Sequence, residues 1–197
     1  TTKKQRIIAQ KQQVCRVDFE QKLQLSRPQE EEIIYHITSL LPQYNVVILS
    51  DYNKGLLSLH LTQRIIQAAK AQRIPILIDP KGHDYKKYQG ATLIKPNFGE
   101  FKTAIRNLLP QVGGLDFINP STPNGIKDVQ LLAQQLKQLL KIDQFVITLG
   151  ENGMIGIDTN QSIYQPTSKR AVSDVSGAGD TSLSLLAAPM LSISLSN

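Results

Sequence analysis

Residues 174–181 read Asp-Val-Ser-Gly-Ala-Gly-Asp-Thr, and an apolar helical stretch follows Asp180. Gly177, Ala178 and Gly179 carry almost no side chain, so a ligand can approach their backbone closely. The first N–H groups of a helix have no intrahelical partner, and the helix dipole adds positive potential there. Such a loop suits a phosphoryl group in transfer, whose charge lies on its oxygens. Asp180 would then be a general base toward an attacking hydroxyl. The same residues also suit a plainer role: a glycine-rich helix start with Asp180 as an N-terminal acid, worth ~0.3–1 kcal/mol through the dipole.

The elements that would position this loop alternate along the chain. Residues 45–50, 74–80, 91–96 and 144–149 are short apolar runs, as expected of strands buried on both faces. Between them, Leu57, Leu61, Ile65 and Ala68 recur at helical spacing. So do Ile126, Val129, Leu132, Leu136 and Leu140, and a further helix is expected over 98–108. Strands alternating with helices imply βαβ units and a largely parallel sheet. Residues 153–158 and 161–166 read as an edge hairpin.

Ahead of this core, Cys15, Val17 and Phe19 alternate with Arg16 and Asp18, which predicts a half-buried strand that residues 6–9 would pair with. A helix is expected from Arg27, with Glu30, Glu31 and Glu32 near its start, an apolar stripe of Ile33, Ile34, Ile37 and Leu41, and an end at Pro42. Residues 108–125 read as a Gly/Pro/Asn-rich surface connection. In parallel sheets ligands gather at the carboxyl ends of the strands. The residues to weigh are therefore Asp51, Asp79 to Gly82, Lys95 to Asn97, Thr148 to Gly150, and the Gly177–Asp180 loop.

Composition narrows the function classes. The chain has 197 residues and a net charge of +6, from 22 Lys and Arg against 16 Asp and Glu. The basic residues are scattered, there is no Trp, and aromatics are 6% of the chain, which argues against a nucleic-acid stacking platform. No apolar run is long enough to span a bilayer. The single cysteine, Cys15, excludes an internal disulfide and suits a reducing cytoplasm. There is no G-x-x-x-x-G-K-[ST], no third glycine in G-x-G-x-x-G register, and no H-E-x-x-H. His36, His60 and His83 are isolated and read as surface or packing residues. For Lys86 and Lys87 a solvated face is expected, and for Asp51 a loop cap bonding nearby backbone N–H groups stands beside a substrate role.

The segment 174–181 resembles the C-terminal signature of the ribokinase-like (PfkB) carbohydrate kinases. Two further landmarks follow the family's order: "KPNFGEF" (95–101) resembles its N-x-x-E segment, and "VITLGENGMIGID" (146–158) its nucleotide-bordering strand and hairpin. Within the family, "CRVDFE", "LSDYNKGLLS" and "ILIDPKGHDYKKYQGATLIKPNFGEF" resemble bacterial heptose 7-phosphate kinases. Those enzymes make a 1,7-bisphosphate on the route to ADP-heptose and the lipopolysaccharide core, and are often fused to an adenylyltransferase. The resemblance covers nearly all of residues 1–188.

The resemblance implies an α/β fold, a ribokinase-like three-layer sandwich with a mostly parallel sheet and part of a β lid. Residues 1–20 would be lid strands, 21–188 the kinase core and 189–197 an atypical tail. It implies ATP and Mg²⁺ as cofactors and a phosphorylated sugar as substrate, with no nucleic-acid or membrane partner and with homodimerisation through the lid. Asp180 matches the catalytic base, and Gly177, Ala178 and Gly179 the anion hole. Asn97 and Glu100 match the pair that helps hold Mg²⁺ and its waters, with Glu100 as the metal-side carboxylate. Thr148, Gly150 and Gly153 match the nucleotide edge. Lys81, just after a strand, would meet a phosphate as a point charge. Asp51 and Lys54 would touch sugar or phosphate.

The family's domain is longer at both ends, so the chain is expected to begin inside the lid, with most sugar-recognition residues upstream. The helix begun at Asp180 is expected to stop at Pro189, because an interior proline costs ~3 kcal/mol. These 197 residues by themselves are therefore expected to turn over poorly or not at all. The alternatives are a kinase for another sugar or a nucleoside, and a non-catalytic remnant serving as an interaction module.

Overall fold

A computed structural model of the chain describes residues 3–9, 12–19, 22–158 and 161–167. The Gly177–Asp180 loop, the helix after it and the tail 189–197 lie outside the described residues.

Strands β1 (Lys3–Ala9) and β2 (Gln12–Phe19) pair antiparallel in a two-stranded sheet of their own, as the alternation at 14–19 predicts. Ile7 faces Cys15 across the ladder and Gln5 faces Val17, with a bulge between Ile7 and Ile8. The expected half-burial is not found on the Cys15–Val17 face: Cys15 is exposed, and Val17 is 37% exposed. A period of two shows which side chains share a face; it does not show that the face is covered.

The main sheet runs β3 (Val47–Ser50), β4 (Ile76–Asp79), β5 (Leu93–Ile94), β6 (Gln144–Thr148), β7 (Met154–Ile157) and β8 (Ser162–Gln165) in spatial order. The first four are mutually parallel, and β7 and β8 form the expected antiparallel edge hairpin. One strand departs from the reading of its sequence. The run 45–50 looks buried on both faces, yet β3 is one of the two edge strands among the described residues and Ile48 is 41% exposed.

Among the described residues four α-helices connect the strands: α1 (Arg27–Leu40), α2 (Leu59–Ala71), α3 (Phe98–Leu108) and α4 (Pro123–Leu140). Each begins at a residue able to cap it. The Ser58 hydroxyl accepts from the Leu61 N–H, and the Thr122 hydroxyl from the Gly125 N–H just after Pro123. Ser26 and Gln29 form a reciprocal capping box on α1.

Alternate strand residues sort the core. Ile76, Ile78, Ile94, Phe145, Ile147 and Ile155 share one cluster with Ile34 of α1, Ile65 of α2, Phe101 of α3 and Leu136 of α4. Leu77, Leu93 and Val146 point the other way and form a second, small cluster. The described residues thus supply the sheet and one helical layer of the α/β sandwich. Each side chain fully buried there contributes ~1.5–3 kcal/mol.

The segment 22–26, leading from β2 to α1, crosses the loop after β3. The Leu23 N–H donates to the Lys54 carbonyl at 2.7 Å. Gly55 has φ +93°, and a Cβ there would lie 1.9 Å from the Leu23 carbonyl oxygen, so only glycine lets the two backbones pass.

Candidate active site at the carboxyl ends of the parallel strands

Four parallel strands end side by side and bring their following residues to one rim. After β3 stands Asp51, with Lys54 three residues on. Asp79 and Lys81 come at the end of β4, Lys95, Asn97 and Glu100 after β5, and Thr148 and Gly150 at the end of β6.

Asn97 caps α3. Its side-chain oxygen accepts from the Glu100 N–H at 2.9 Å, and Glu100 Oε2 accepts from the Asn97 N–H at 3.0 Å. The N-x-x-E spacing is therefore a capping box, which fixes both side chains relative to the helix start. The other carboxylate oxygen, Glu100 Oε1, meets Lys81 Nζ at 2.7 Å. That hydrogen bond and the charges of Glu100 and Asp79 hold the Lys81 ammonium above the ordinary lysine value against its partial burial. Lys81 remains more than half exposed. Beside it, Lys95 Nζ lies 3.1 Å from Asp79 Oδ1 in a largely buried pair.

Thr148 joins this group through the backbone. It bridges to Asn97 in parallel register, and its N–H donates to the Pro96 carbonyl at 3.0 Å. The turn after it needs its glycines. Gly150 has φ +63° and open space where a Cβ would go, whereas a Cβ on Gly153 (φ +96°) would lie 2.1 Å from the Gln165 carbonyl oxygen. Leu149 N–H closes the turn onto the Gly153 carbonyl at 2.8 Å.

Asp51 is engaged within the protein. Its Oδ2 accepts from the Tyr88 hydroxyl at 2.6 Å and pairs with Lys87 Nζ, and its Oδ1 accepts from the Asn53 N–H at 2.7 Å. The last contact is the loop cap that the sequence left open beside a substrate role. Lys87 is a correction. Instead of a solvated face it is 7% exposed, with Nζ also donating to the Leu57 carbonyl and lying 5.2 Å from the Tyr88 ring centroid. A short 3₁₀ turn over Tyr85–Tyr88 folds it inward, and buried Asp51 supplies the countercharge. Tyr85 and Tyr88 stack edge to face inside the core. Burial, and then Asp51, hold the Tyr88 phenol well above its ordinary range; burial, then Glu100 and Asp79, do the same for Tyr85. The buried Tyr85 hydroxyl has no hydrogen-bond partner among the described residues.

Of the residues singled out in the sequence, the structure thus groups Lys81, Asn97, Glu100 and Thr148, places Gly150 and Gly153 in the adjoining turn, and sets Asp51 and Lys54 in the neighbouring loop. Gly177, Ala178, Gly179 and Asp180 lie outside the described residues. Sequence reading missed Tyr85, Tyr88, Lys87 and the Lys95–Asp79 pair. The available signal was the i, i+3 spacing of the two tyrosines, which a 3₁₀ turn places on one side.

The donor set fits Mg²⁺ in the way that ion is usually held, through one or two carboxylates with the rest supplied by water and substrate phosphates. Glu100 is such a carboxylate, 15% exposed and fixed by the capping box. Among the described residues there is no group of three or more His, Cys, Asp or Glu placed to hold a metal ion by themselves.

Comparison with known proteins shows the family. The model of the pfkB family carbohydrate kinases matches residues 1–192. The chain is 42% identical over 187 residues to the bifunctional protein HldE of Wolinella succinogenes, covering 95% of the chain and 36% of that protein. It is 37% identical over 191 residues to HldE of Pseudomonas aeruginosa, covering 96% and 36%. The chain thus spans about a third of the length of these curated relatives. Among solved structures, the tetrameric inhibited form of phosphofructokinase-2 from Escherichia coli superposes with TM-score 0.61 at 19% identity, over 84% of this chain and 51% of that one. Ribokinase from Thermotoga maritima gives 0.52 at 18%, over 73% and 42%. These two share the fold. Among the described residues no helix is long and apolar enough to cross a membrane.

Proposed function

Because the chain belongs to the pfkB family of carbohydrate kinases, we propose that it forms the phosphoryl-transfer part of an ATP-dependent kinase acting on the anomeric hydroxyl of a heptose 7-phosphate. The observation that carries this reading is the convergence of Lys81, Asn97, Glu100 and Thr148 at the ends of adjacent parallel strands. The heptose is the substrate of the kinases that the "SDYNKG" and "DPKG" segments resemble; the two segments pack together here, where a Cβ on Gly82 would lie 2.9 Å from the Asn53 side chain.

In this reading the anomeric oxygen attacks the γ-phosphorus of ATP in line. Its proton passes to the Asp180 carboxylate, the bond from the γ-phosphorus to the bridging oxygen breaks, and ADP leaves. The backbone of Gly177, Ala178 and Gly179 receives the charge on the phosphoryl oxygens. Glu100, oriented by Asn97, would hold Mg²⁺ through its waters, and the ion would neutralise charge on the phosphates. Thr148, Gly150 and Gly153 border the nucleotide. Lys81 meets a phosphate, and Asp51 and Lys54 touch sugar or phosphate. The site of action is the cytoplasm, and a second copy joins through the β1–β2 lid.

The test is phosphoryl transfer from ATP to heptose 7-phosphate by the natural full-length protein and its Asp180→Asn variant. The variant should bind ATP and lose about 10²- to 10⁴-fold in kcat, the usual contribution of a general base. Unchanged turnover would remove Asp180 from its role. Equal efficiency on a sugar lacking the 7-phosphate would remove the heptose phosphate.

A further inference from the structure

We infer that Tyr88 is a positioning residue whose single hydroxyl holds the Lys81 backbone in register with the loop after β3. This rests on the phosphate-facing role proposed above for Lys81 and adds what sets that lysine in place. The hydroxyl stands between the two loops. It donates to Asp51 Oδ2 at 2.6 Å on one side and accepts from the Lys81 N–H at 3.3 Å on the other. The ring that carries it is fully buried, so the hydroxyl has little freedom to follow either loop if one moves.

Asp51 is fixed in turn by Lys87, and its second oxygen holds the Asn53 N–H, at the residue whose side chain packs on Gly82. Asp51 and Lys87 cancel in charge and are both buried, so this pair adds almost no field at the rim. What it supplies is geometry. The Lys81 side chain is more than half exposed, and its backbone anchor sets which positions the ammonium can reach, whether on Glu100 or on a phosphate. A buried hydroxyl that pins that backbone lowers the entropy lost when the ammonium closes on a phosphate.

The experiment is a double-mutant cycle in the natural full-length protein, using Tyr88→Phe, Lys81→Met and both together, with KM for ATP and for heptose 7-phosphate and kcat measured for each. Lys81→Met should raise one KM by roughly tenfold or more, as expected for a lost charge-assisted hydrogen bond. Tyr88→Phe should raise that same KM several-fold with kcat within about twofold, and the double variant should be no worse than Lys81→Met alone. A merely structural tyrosine gives additive losses, or losses in kcat and both KM values alike, and either result overturns the inference while leaving Lys81 in place. If Lys81→Met changes neither KM, the phosphate reading falls and the inference falls with it. Should Tyr88→Phe fail to fold, the neutral pair Asp51→Asn with Lys87→Met enters the same cycle with the same expected non-additivity.

Discussion

Glu100 does two jobs that one substitution can separate. Its Oε2 caps α3 through the Asn97 N–H, and its Oε1 faces Lys81. Glutamine can replace glutamate in a capping box, so Glu100→Gln keeps the helix start and removes the charge. The ion pair it loses is largely exposed on the lysine side, where such pairs contribute ~0–1 kcal/mol. Denaturant unfolding should therefore shift by less than ~1 kcal/mol, while the Mg²⁺ concentration needed for half-maximal transfer rises at least about tenfold. An unchanged Mg²⁺ requirement would take Glu100 out of the metal's shell. The Lys81 value is raised in the folded chain, so the pair's stabilisation is complete below the ordinary lysine value of 10.5 and is lost as pH climbs through the folded value. It is intact at neutral pH. The same sign holds for the phenols of Tyr85 and Tyr88, raised chiefly by burial from 10.0. An alkaline titration followed by tyrosinate absorbance should show two of the six tyrosines ionising only as the fold is lost. Ionisation of all six before any loss of far-ultraviolet dichroism would contradict their burial. At this scale the sequence was legible where a motif ties a residue to a turn, as at Asn97 and Glu100. It was not legible at Lys87, because burial of a lysine depends on a countercharge 36 positions away in sequence, at Asp51, that local pattern cannot reveal.

Elements were more readable than residues because each carries its own start and stop. The helix expected over 98–108 is found as Phe98–Leu108, with Asn97 before it. Asn97→Ala should cost ~0.5–2 kcal/mol, as loss of an N-cap does, and should loosen Glu100 as well. Gly153 is less forgiving. An alanine there meets both a positive φ, costing ~1–3 kcal/mol, and the Gln165 carbonyl 2.1 Å from the new Cβ. Gly153→Ala should therefore destabilise more than Asn97→Ala in urea, and it should push β8 away from the turn. A Gly153→Ala midpoint equal to that of wild type would mean that the hairpin accommodates the methyl group by another path. The strands were located correctly but their exposure was not. An apolar run such as 45–50 marks a strand, and whether both its edges are paired depends on which neighbours the sheet has. The "N-x-x-E" of the site was legible by resemblance, and its role as a helix cap follows from the same four residues.

At the scale of the molecule, the β1–β2 ribbon is the part that the fold around it does not explain. Two-stranded ribbons are at best marginally stable unless something packs on them. This one shows Ile7, Ile8, Val14 and Val17 to solvent, at 47%, 64%, 64% and 37% exposure. It is nonetheless tethered to the site, since the segment following it crosses Lys54 and Gly55 backbone to backbone. A second copy of the same ribbon, related by a two-fold axis, is the cover proposed above. In such an isologous interface every residue appears twice, so a substitution is felt twice. A buried isoleucine is worth ~2 kcal/mol, and its loss on both sides ~4 kcal/mol, which corresponds to about a thousandfold in dissociation constant. Ile7→Lys in the natural full-length protein should therefore turn a dimer at micromolar concentration into a monomer in sedimentation equilibrium. The folded core should be unaffected, because β1 and β2 form a sheet separate from β3–β8. A wild type that sediments as a monomer, or an Ile7→Lys variant that still dimerises with the parent affinity, would show that the ribbon is covered by something other than its own copy.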